Sequence, residues 1–153
     1  MIAVIACGNR NRSDDAVGVE IVRRITPRRG VKFFDGATDG LAVLSASRGC
    51  ATLVVVDACT TGAEPGTIFE VAPEVLAAGS APSYTQHGFR WDHAVWAGRK
   101  MYGAAFPTDV MVLLVETRSV GVGLSLSPRV EAAVDDAVAR IERFLDARAQ
   151  ALA

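Results

Sequence analysis

The sequence predicts an α/β fold of three layers, in which helices cover both faces of a twisted, mostly parallel sheet of about five strands. Apolar runs alternate along the chain with segments of helical periodicity, which is the pattern of consecutive strand–helix–strand units. Two runs, LVVV (53–56) and VMVLLV (110–115), are continuously apolar, as is typical of parallel strands buried on both faces. A length of 153 residues, half of them hydrophobic, suits one domain over 1–153.

The bounds of the individual strands and helices are predicted from these patterns and from the proline and glycine residues that interrupt them. Strands are predicted at four apolar runs, with a candidate fifth strand in GTIFEV: 2–7, 31–34, 52–56, 110–115 and 66–71. Helices are predicted at 14–25, 40–48 and 90–102, which end near Pro27, Gly49 and Gly103, and from Ser127–Pro128 onward. Residues 72–88, rich in Ala, Ser, Gly and Pro, are predicted to form a long loop.

Composition excludes several classes of function. Sixteen basic and 17 acidic residues give a net charge of −1 with no basic patch, so nucleic acid is not an expected partner. No apolar run reaches the roughly 18 residues of a membrane span, and no secretory signal is apparent. Three cysteines without CxxC spacing favour a reducing, cytoplasmic location over a disulfide framework.

Carboxylates follow the predicted strands. The pair Asp14–Asp15 comes after the first strand, and Asp35, Asp57 and Glu116 come at the ends of the second, third and fourth. Parallel strands of such a sheet present their carboxyl ends to one edge, where ligands bind. We expect the acidic side chains to converge there, where a cation or a donor-rich ligand would offset their repulsion.

Each candidate has a structural explanation beside the functional one. We expect Asp14 to cap the first helix or to face solvent, and Asp15 to point into the cleft. Asp57 either accepts hydrogen bonds from a neighbouring loop or contacts a metal or substrate. His87, in the polar loop SYTQHGF, is the better of two histidines for function, because His93 falls inside a predicted helix.

Two carboxylates and one imidazole would form an incomplete shell for a divalent transition metal, with positions left open. Cys7 and Cys59 lie near the same edge, although buried cysteines are more often structural. The motifs HExxH, GxGxxG, GxxxxGK[ST] and GxSxG are absent, so zincin, dinucleotide, P-loop and α/β-hydrolase chemistry are not supported.

Three motifs together resemble a known family. GN-x4-DD-x2-G (8–18), DG-x-T-x-G (35–40) and DA-x3-G-x2-PGT (57–67) occur, with TQH (85–87) and GLSLSPRVEAAV (123–134), in the order and spacing of the nickel–iron hydrogenase maturation endopeptidases. The resemblance covers nearly the whole chain. DGAT stands where DGGT is commoner, and VETRSVGVG (115–123) lacks the usual proline.

The resemblance implies an activity and a role for each matching residue. The expected reaction is removal of a C-terminal extension from the precursor of a nickel–iron hydrogenase large subunit, after nickel has been inserted into it. Metal binding and catalysis are implied for Asp15, Asp57 and His87, and substrate recognition for Asp35, Thr38 and Gly40. The nickel would be borne by the substrate, which leaves open whether the free enzyme holds a tight metal or another divalent ion.

Two alternatives come from other classes of function. A non-catalytic, metal-binding chaperone of the large subunit would use the same residues without cleaving its partner. A small-molecule hydrolase or phosphorylase would need a basic, phosphate-holding cluster at the strand ends, whereas this edge is acidic.

Overall fold

The computed structural model describes residues 1–71 and 91–151. These residues form a sheet of five strands: β1 (Ile2–Cys7), β2 (Val31–Ala37), β3 (Thr52–Cys59), β4 (Ile68–Val71) and β5 (Asp109–Glu116). Across the sheet the strands lie in the order β2-β1-β3-β5-β4. All neighbouring pairs are parallel except β4, which runs antiparallel to β5 at one edge. The predicted fold class is confirmed, and GTIFEV supplies the fifth strand.

Four α-helices of the described residues cover the two faces of the sheet. They are α1 (Val17–Arg24), α2 (Gly40–Ser47), α3 (Trp91–Tyr102) and α4 (Pro128–Ala151), with short 3-10 turns at Ser13–Ala16 and Gly103–Ala105. One core cluster joins α1 and α4 to one face of the sheet, and a second joins α2 and α3 to the other. The sheet is therefore the middle of three layers, as the sequence predicts.

The last helix shows how the layers are held together. Along α4 one face is fully buried, and its side chains recur at helical spacing: Val130, Val134, Ala137, Ile141 and Leu145. The remaining faces of α4 carry charged residues. Within residues 1–71 and 91–151, no helix is long and apolar enough to cross a membrane.

Several element bounds differ from the sequence prediction. Strand β2 continues to Ala37 and β3 to Cys59, because both keep pairing with their neighbours beyond the apolar runs. Asp35 and Asp57 therefore lie within strands rather than after them. The first helix begins as a 3-10 turn and ends at Arg24, since Ile25 is already extended ahead of Pro27. The predicted loop at 72–88 and the start of the third helix at residue 90 lie outside the described residues.

One close approach positions the start of α1. A Cβ atom at Gly18 would lie 2.5 Å from the carbonyl oxygen of Val56 and 2.8 Å from that of Cys7. Only glycine fits there, because these neighbours are backbone atoms that side-chain rotation cannot move. Helix α1 is thus seated on the carboxyl ends of β1 and β3, and the turn before it reaches the edge of the sheet.

Candidate active site

A cleft of about 240 Å³ opens at the carboxyl ends of β1 and β3. It lies where the sheet topology predicts a ligand site, at the edge to which the parallel strands deliver their ends. The described residues that line it come from β1, the turn before α1, the end of β2, the β2–α2 connection, α2, β3 and α3: Cys7, Gly8, Arg12, Asp15, Ala37, Thr38, Asp39, Val43, Asp57 and Trp91.

Asp57 forms the floor of this cleft and is held from two directions. Its Oδ1 accepts a hydrogen bond of 2.8 Å from the backbone N–H of Ala58, and its Oδ2 accepts one of 2.7 Å from the indole Nε1 of Trp91. Only 4% of the residue is exposed. A carboxylate buried in this way needs such donors, and they also fix the direction in which its oxygens point.

Asp15 lies across Gly8 from Asp57. Its Oδ2 accepts a 2.7 Å hydrogen bond from the backbone N–H of Asn9, so the turn after β1 folds back onto it. Gly8 has a φ of +116°, and a Cβ there would lie 1.9 Å from the Asp15 carbonyl oxygen and 3.5 Å from Asp57 Oδ1. Glycine at position 8 therefore allows the backbone of Asp15 to approach this closely, and both Asp15 and Asp57 line the same cleft.

The third predicted ligand cannot be placed. His87 lies outside the described residues, so the structure gives no geometry for the set Asp15, Asp57 and His87. Among residues 1–71 and 91–151, no three His, Cys, Asp or Glu side chains are grouped so as to hold a metal ion. The metal-binding and catalytic roles of these three residues stay predictions.

Comparison with known proteins assigns the family. The family model described as HycI, hydrogenase maturation protease, matches residues 16–144, which is most of the chain. The chain belongs to the hydrogenase maturation protease family. It is therefore a hydrolase of the endopeptidase type, and the resemblance seen in its motifs is confirmed. No curated protein matches the sequence significantly.

Solved structures of hydrogenase maturation proteases share the fold. The maturating endopeptidase HybD from E. coli superposes with a TM-score of 0.80 at 24% identity, over 96% of this chain and 93% of that chain. An endopeptidase from E. coli superposes with a TM-score of 0.73 at 25% identity, over 92% of this chain and 88% of that chain. HycI from Thermococcus kodakarensis superposes with a TM-score of 0.72 at 19% identity, over 95% of this chain and 92% of that chain. At these identities the likeness establishes the architecture, and the residue roles need their own argument.

The first aspartate of the DD pair has a different role from the one predicted. Asp14 neither caps the helix nor faces solvent, because it is completely buried. Its carboxylate accepts hydrogen bonds from the backbone N–H groups of Arg118, Ser119 and Ser127 and from the Ser127 hydroxyl, at 2.6–2.9 Å. In this protease Asp14 therefore ties the loop after β5 to the turn before α1.

These bonds also determine how Asp14 titrates. Burial by itself would raise the pKa of Asp14, but the hydrogen bonds from Ser127, Ser119 and Arg118 outweigh it, so the pKa lies below its ordinary value. Asp14 is thus ionised in the folded protein at neutral pH. Because the charged form is the one that accepts all four bonds, ionisation contributes to stability.

Glu116 is also expected from the sequence to join the acidic side chains that converge at the edge of the sheet, and it does not. It is buried, and its carboxylate accepts hydrogen bonds from the N–H and hydroxyl of Thr61 and from the N–H of Gly62. Burial opposes ionisation, yet these donors lower the pKa of Glu116 below its ordinary value. The Glu116 side chain holds the loop after β3 in place through these hydrogen bonds and does not line the cleft.

The cysteine at the end of β3 is a poor metal ligand. The Cys59 thiol donates to Oε2 of Glu116 at 3.4 Å. Burial raises the pKa of Cys59 to about 12, and the hydrogen bond from its thiol and the negative charges of Glu116 and Asp57 act in the same direction. The thiol stays protonated at neutral pH, whereas a metal ligand must be a thiolate. Cys7 is buried in the wall of the cleft.

The residues of the DGATDG segment (35–40) lie in different surroundings, and only some of them line the cleft. Thr38 is exposed on the cleft wall, whereas Gly40 is buried as the first residue of α2. Asp39 caps this helix by accepting from the N–H of Leu41 at 2.9 Å. Asp35 lies outside the cleft and is ion-paired with Arg10 at the surface. Their roles in substrate recognition stay predictions.

Two residues of the site were not identified from the sequence. Trp91 reaches Asp57 from the first residue of α3, and Arg12 lines the cleft while its Nε donates to the carbonyl of Val120 at 3.0 Å. Trp91 comes shortly after His87 in the sequence, and this position is the one sequence feature that hints at a place in the site. Nothing in the local sequence indicates that its indole points at a residue 34 positions away.

The role of Asp14 predicts a specific pH dependence of stability. We expect Asp14→Asn to lower the free energy of unfolding by about 3 kcal/mol at pH 7, because buried donors lose a charged acceptor. The folded pKa is depressed, so this stabilisation is present above the ordinary aspartate pKa of about 4 and is lost as the pH falls through the folded value. Urea unfolding from pH 7 to pH 3 should show the difference between the two proteins narrowing below about pH 4.

The matched control is Asp135→Asn, since the Asp135 side chain is 90% exposed and pairs only at the surface with Arg24. It should leave both the stability and its pH dependence almost unchanged. A stability difference between wild type and Asp14→Asn that is constant across the whole pH range would contradict the assignment.

Proposed function

We propose that this protease removes the C-terminal extension from the nickel-loaded precursor of a nickel–iron hydrogenase large subunit. The observation that carries the proposal is that Asp15 and Asp57 line one cleft at the carboxyl ends of β1 and β3, in a chain that matches the hydrogenase maturation proteases. Cys7, Cys50 and Cys59 are not joined in disulfides, which suits the reducing cytoplasm where we place the reaction.

The donor set suits recognition of a metal that is part of the substrate. Asp15 and Asp57 offer carboxylate oxygens, and His87 would add an imidazole nitrogen. Both aspartates already accept hydrogen bonds from the protein, which orients their remaining lone pairs. Such an incomplete shell would be too weak to extract nickel from the precursor but sufficient to distinguish a loaded precursor from an empty one.

The chain's own contribution to the chemistry is to hold carboxylates in place. We propose that water adds to the carbonyl carbon of the scissile peptide while one of the two aspartates accepts its proton. The C–N bond then breaks as the same carboxyl group returns the proton to the leaving nitrogen, which yields a carboxylic acid and an amine. Among the described residues, no hydrogen bond is made to Oδ1 of Asp15, so this atom is available to a water or a metal in the cleft. Thr38 and the Asp35–Arg10 pair, on the wall and outside the cleft, are proposed to contact the substrate.

The charge of the cleft disfavours the phosphorylase alternative. Its described wall carries Asp15, Asp39 and Asp57 against one basic residue, Arg12, whereas a phosphate site needs a net positive cluster. A non-catalytic chaperone would bind through the same residues, and it is distinguished by the product. Only a protease reduces the mass of the precursor.

The site predicts loss of cleavage without loss of the fold. We expect Asp15→Asn, Asp57→Asn and His87→Ala each to abolish processing of nickel-loaded precursor, read by mass spectrometry as retention of the C-terminal peptide. The near-isosteric Asp→Asn changes remove charge but keep volume, so circular dichroism should be unchanged. Asp135→Asn and His93→Ala are the matched controls and should process at the normal rate. Normal processing by the combined site variant would refute the proposed site.

Trp91 is predicted to act as a positioning residue for Asp57. Trp91→Phe keeps an aromatic ring but removes the Nε1–H donor, so Asp57 should lose its fixed orientation. We expect kcat to fall on the order of tenfold with KM nearly unchanged. Trp96→Phe, the same change on the same helix, should leave kcat unaltered. If both variants lose activity equally, the effect is one of packing and the proposed role is wrong.

A further inference from the structure

The loop between β5 and α4 exposes an unusual amount of apolar surface. Val122 is 94% exposed and Leu124 is 85% exposed, and Val120 beside them is also exposed. The three residues alternate along the sequence with Gly121 and Gly123, in a segment whose backbone bends at residues 121, 122, 124 and 125. Single exposed apolar residues are ordinary, but several adjacent ones on one loop indicate a surface that another molecule covers. We call residues 118–126 the apolar loop.

Hydrogen bonds hold the apolar loop in place along its length. At its two ends, Asp14 accepts the backbone N–H groups of Arg118, Ser119 and Ser127. In the middle, Gly123 donates to the carbonyl of Asn11 at 3.0 Å and accepts from the N–H of Ser13 at 2.9 Å. A loop constrained in this way has already lost most of its conformational freedom, so binding a partner costs less ordering entropy.

The apolar loop is continuous with the candidate active site. Val120 lines a depression that it shares with Asp15 and Arg12, and both of these also line the cleft. On the far side, Leu124 and Leu126 line a groove beside Val19 of α1. The apolar loop therefore adjoins the cleft at Val120, and its residues Leu124 and Leu126 border the groove beside α1.

We propose that the apolar loop is the docking surface for the precursor protein, and that Val122 and Leu124 insert into an apolar patch next to the segment to be cleaved. This inference rests on the proposed function, because it names how the same substrate is held. The cleft, at about 240 Å³, accommodates only a few side chains, so selective recognition of a folded protein needs contacts beyond it. Exposed apolar side chains beside the cleft, on a loop already fixed in position, provide them.

The test measures binding and cleavage separately. The variant Val122→Asp/Leu124→Asp places two charges where apolar contact is expected, and Val122→Ser/Leu124→Ser removes the apolar side chains without adding charge. The control is Met101→Asp, because Met101 is 67% exposed on α3 and lies ten residues, about 15 Å along the helix, from Trp91. For each protein, the Kd for nickel-loaded precursor, kcat, KM and Tm are measured.

We expect both double variants to raise Kd and KM on the order of tenfold or more, with kcat at saturation and Tm unchanged and with the control equal to wild type. Unchanged Kd in both double variants overturns the inference, as does an equal loss in Met101→Asp. If the double variants alter only self-association, measured by sedimentation, the loop binds a second copy and the inference is wrong. A wild-type protein that binds precursor through this loop without cleaving it would refute the proposed function and leave the docking surface standing.

Discussion

The close packing of the first turn of the chain against the ends of β1 and β3 is the constraint on which the site depends. At Gly8 and Gly18, backbone atoms of other segments occupy the space that a Cβ would need. Any larger residue would push the turn and α1 away from the sheet. Because this turn carries Asp15 and the sheet carries Asp57, the same packing that seats α1 also brings the two carboxylates to one cleft.

The acidic residues near this edge are divided between structure and function. Asp14 and Glu116 are buried among donors that lower their pKa values, and each holds a loop beside the cleft. Asp15 and Asp57 line the cleft, and each also accepts hydrogen bonds from the protein. Hydrogen bonds from N–H and O–H groups stabilise the negative charges of Asp14 and Glu116, so these two carboxylates are satisfied by the protein itself. We propose that Asp15 and Asp57 meet a cationic or donor-rich ligand in the cleft.

The sequence predicts the three layers and the succession of strands and helices along the chain well, because apolar periodicity reflects burial directly. It predicts less well what depends on distant contacts. The extension of β2 and β3 comes from pairing with neighbouring strands, and the burial of Asp14 comes from a loop more than 100 residues later in the chain. The contact of Trp91 with Asp57 likewise joins residues that are distant in the sequence. Adjacent aspartates look alike in sequence, and only the tertiary structure separates Asp14 from Asp15.

We propose that Asp15 and Asp57 together face one metal-recognition cleft that His87 completes. Anomalous diffraction from crystals of the protein soaked with nickel or cadmium as a probe ion tests this arrangement most directly. We expect one site with oxygens of both aspartates and a nitrogen of His87 at about 2.0–2.4 Å from the ion. An ion bound by either aspartate alone, with the other carboxylate and the imidazole turned away from it, would contradict the arrangement.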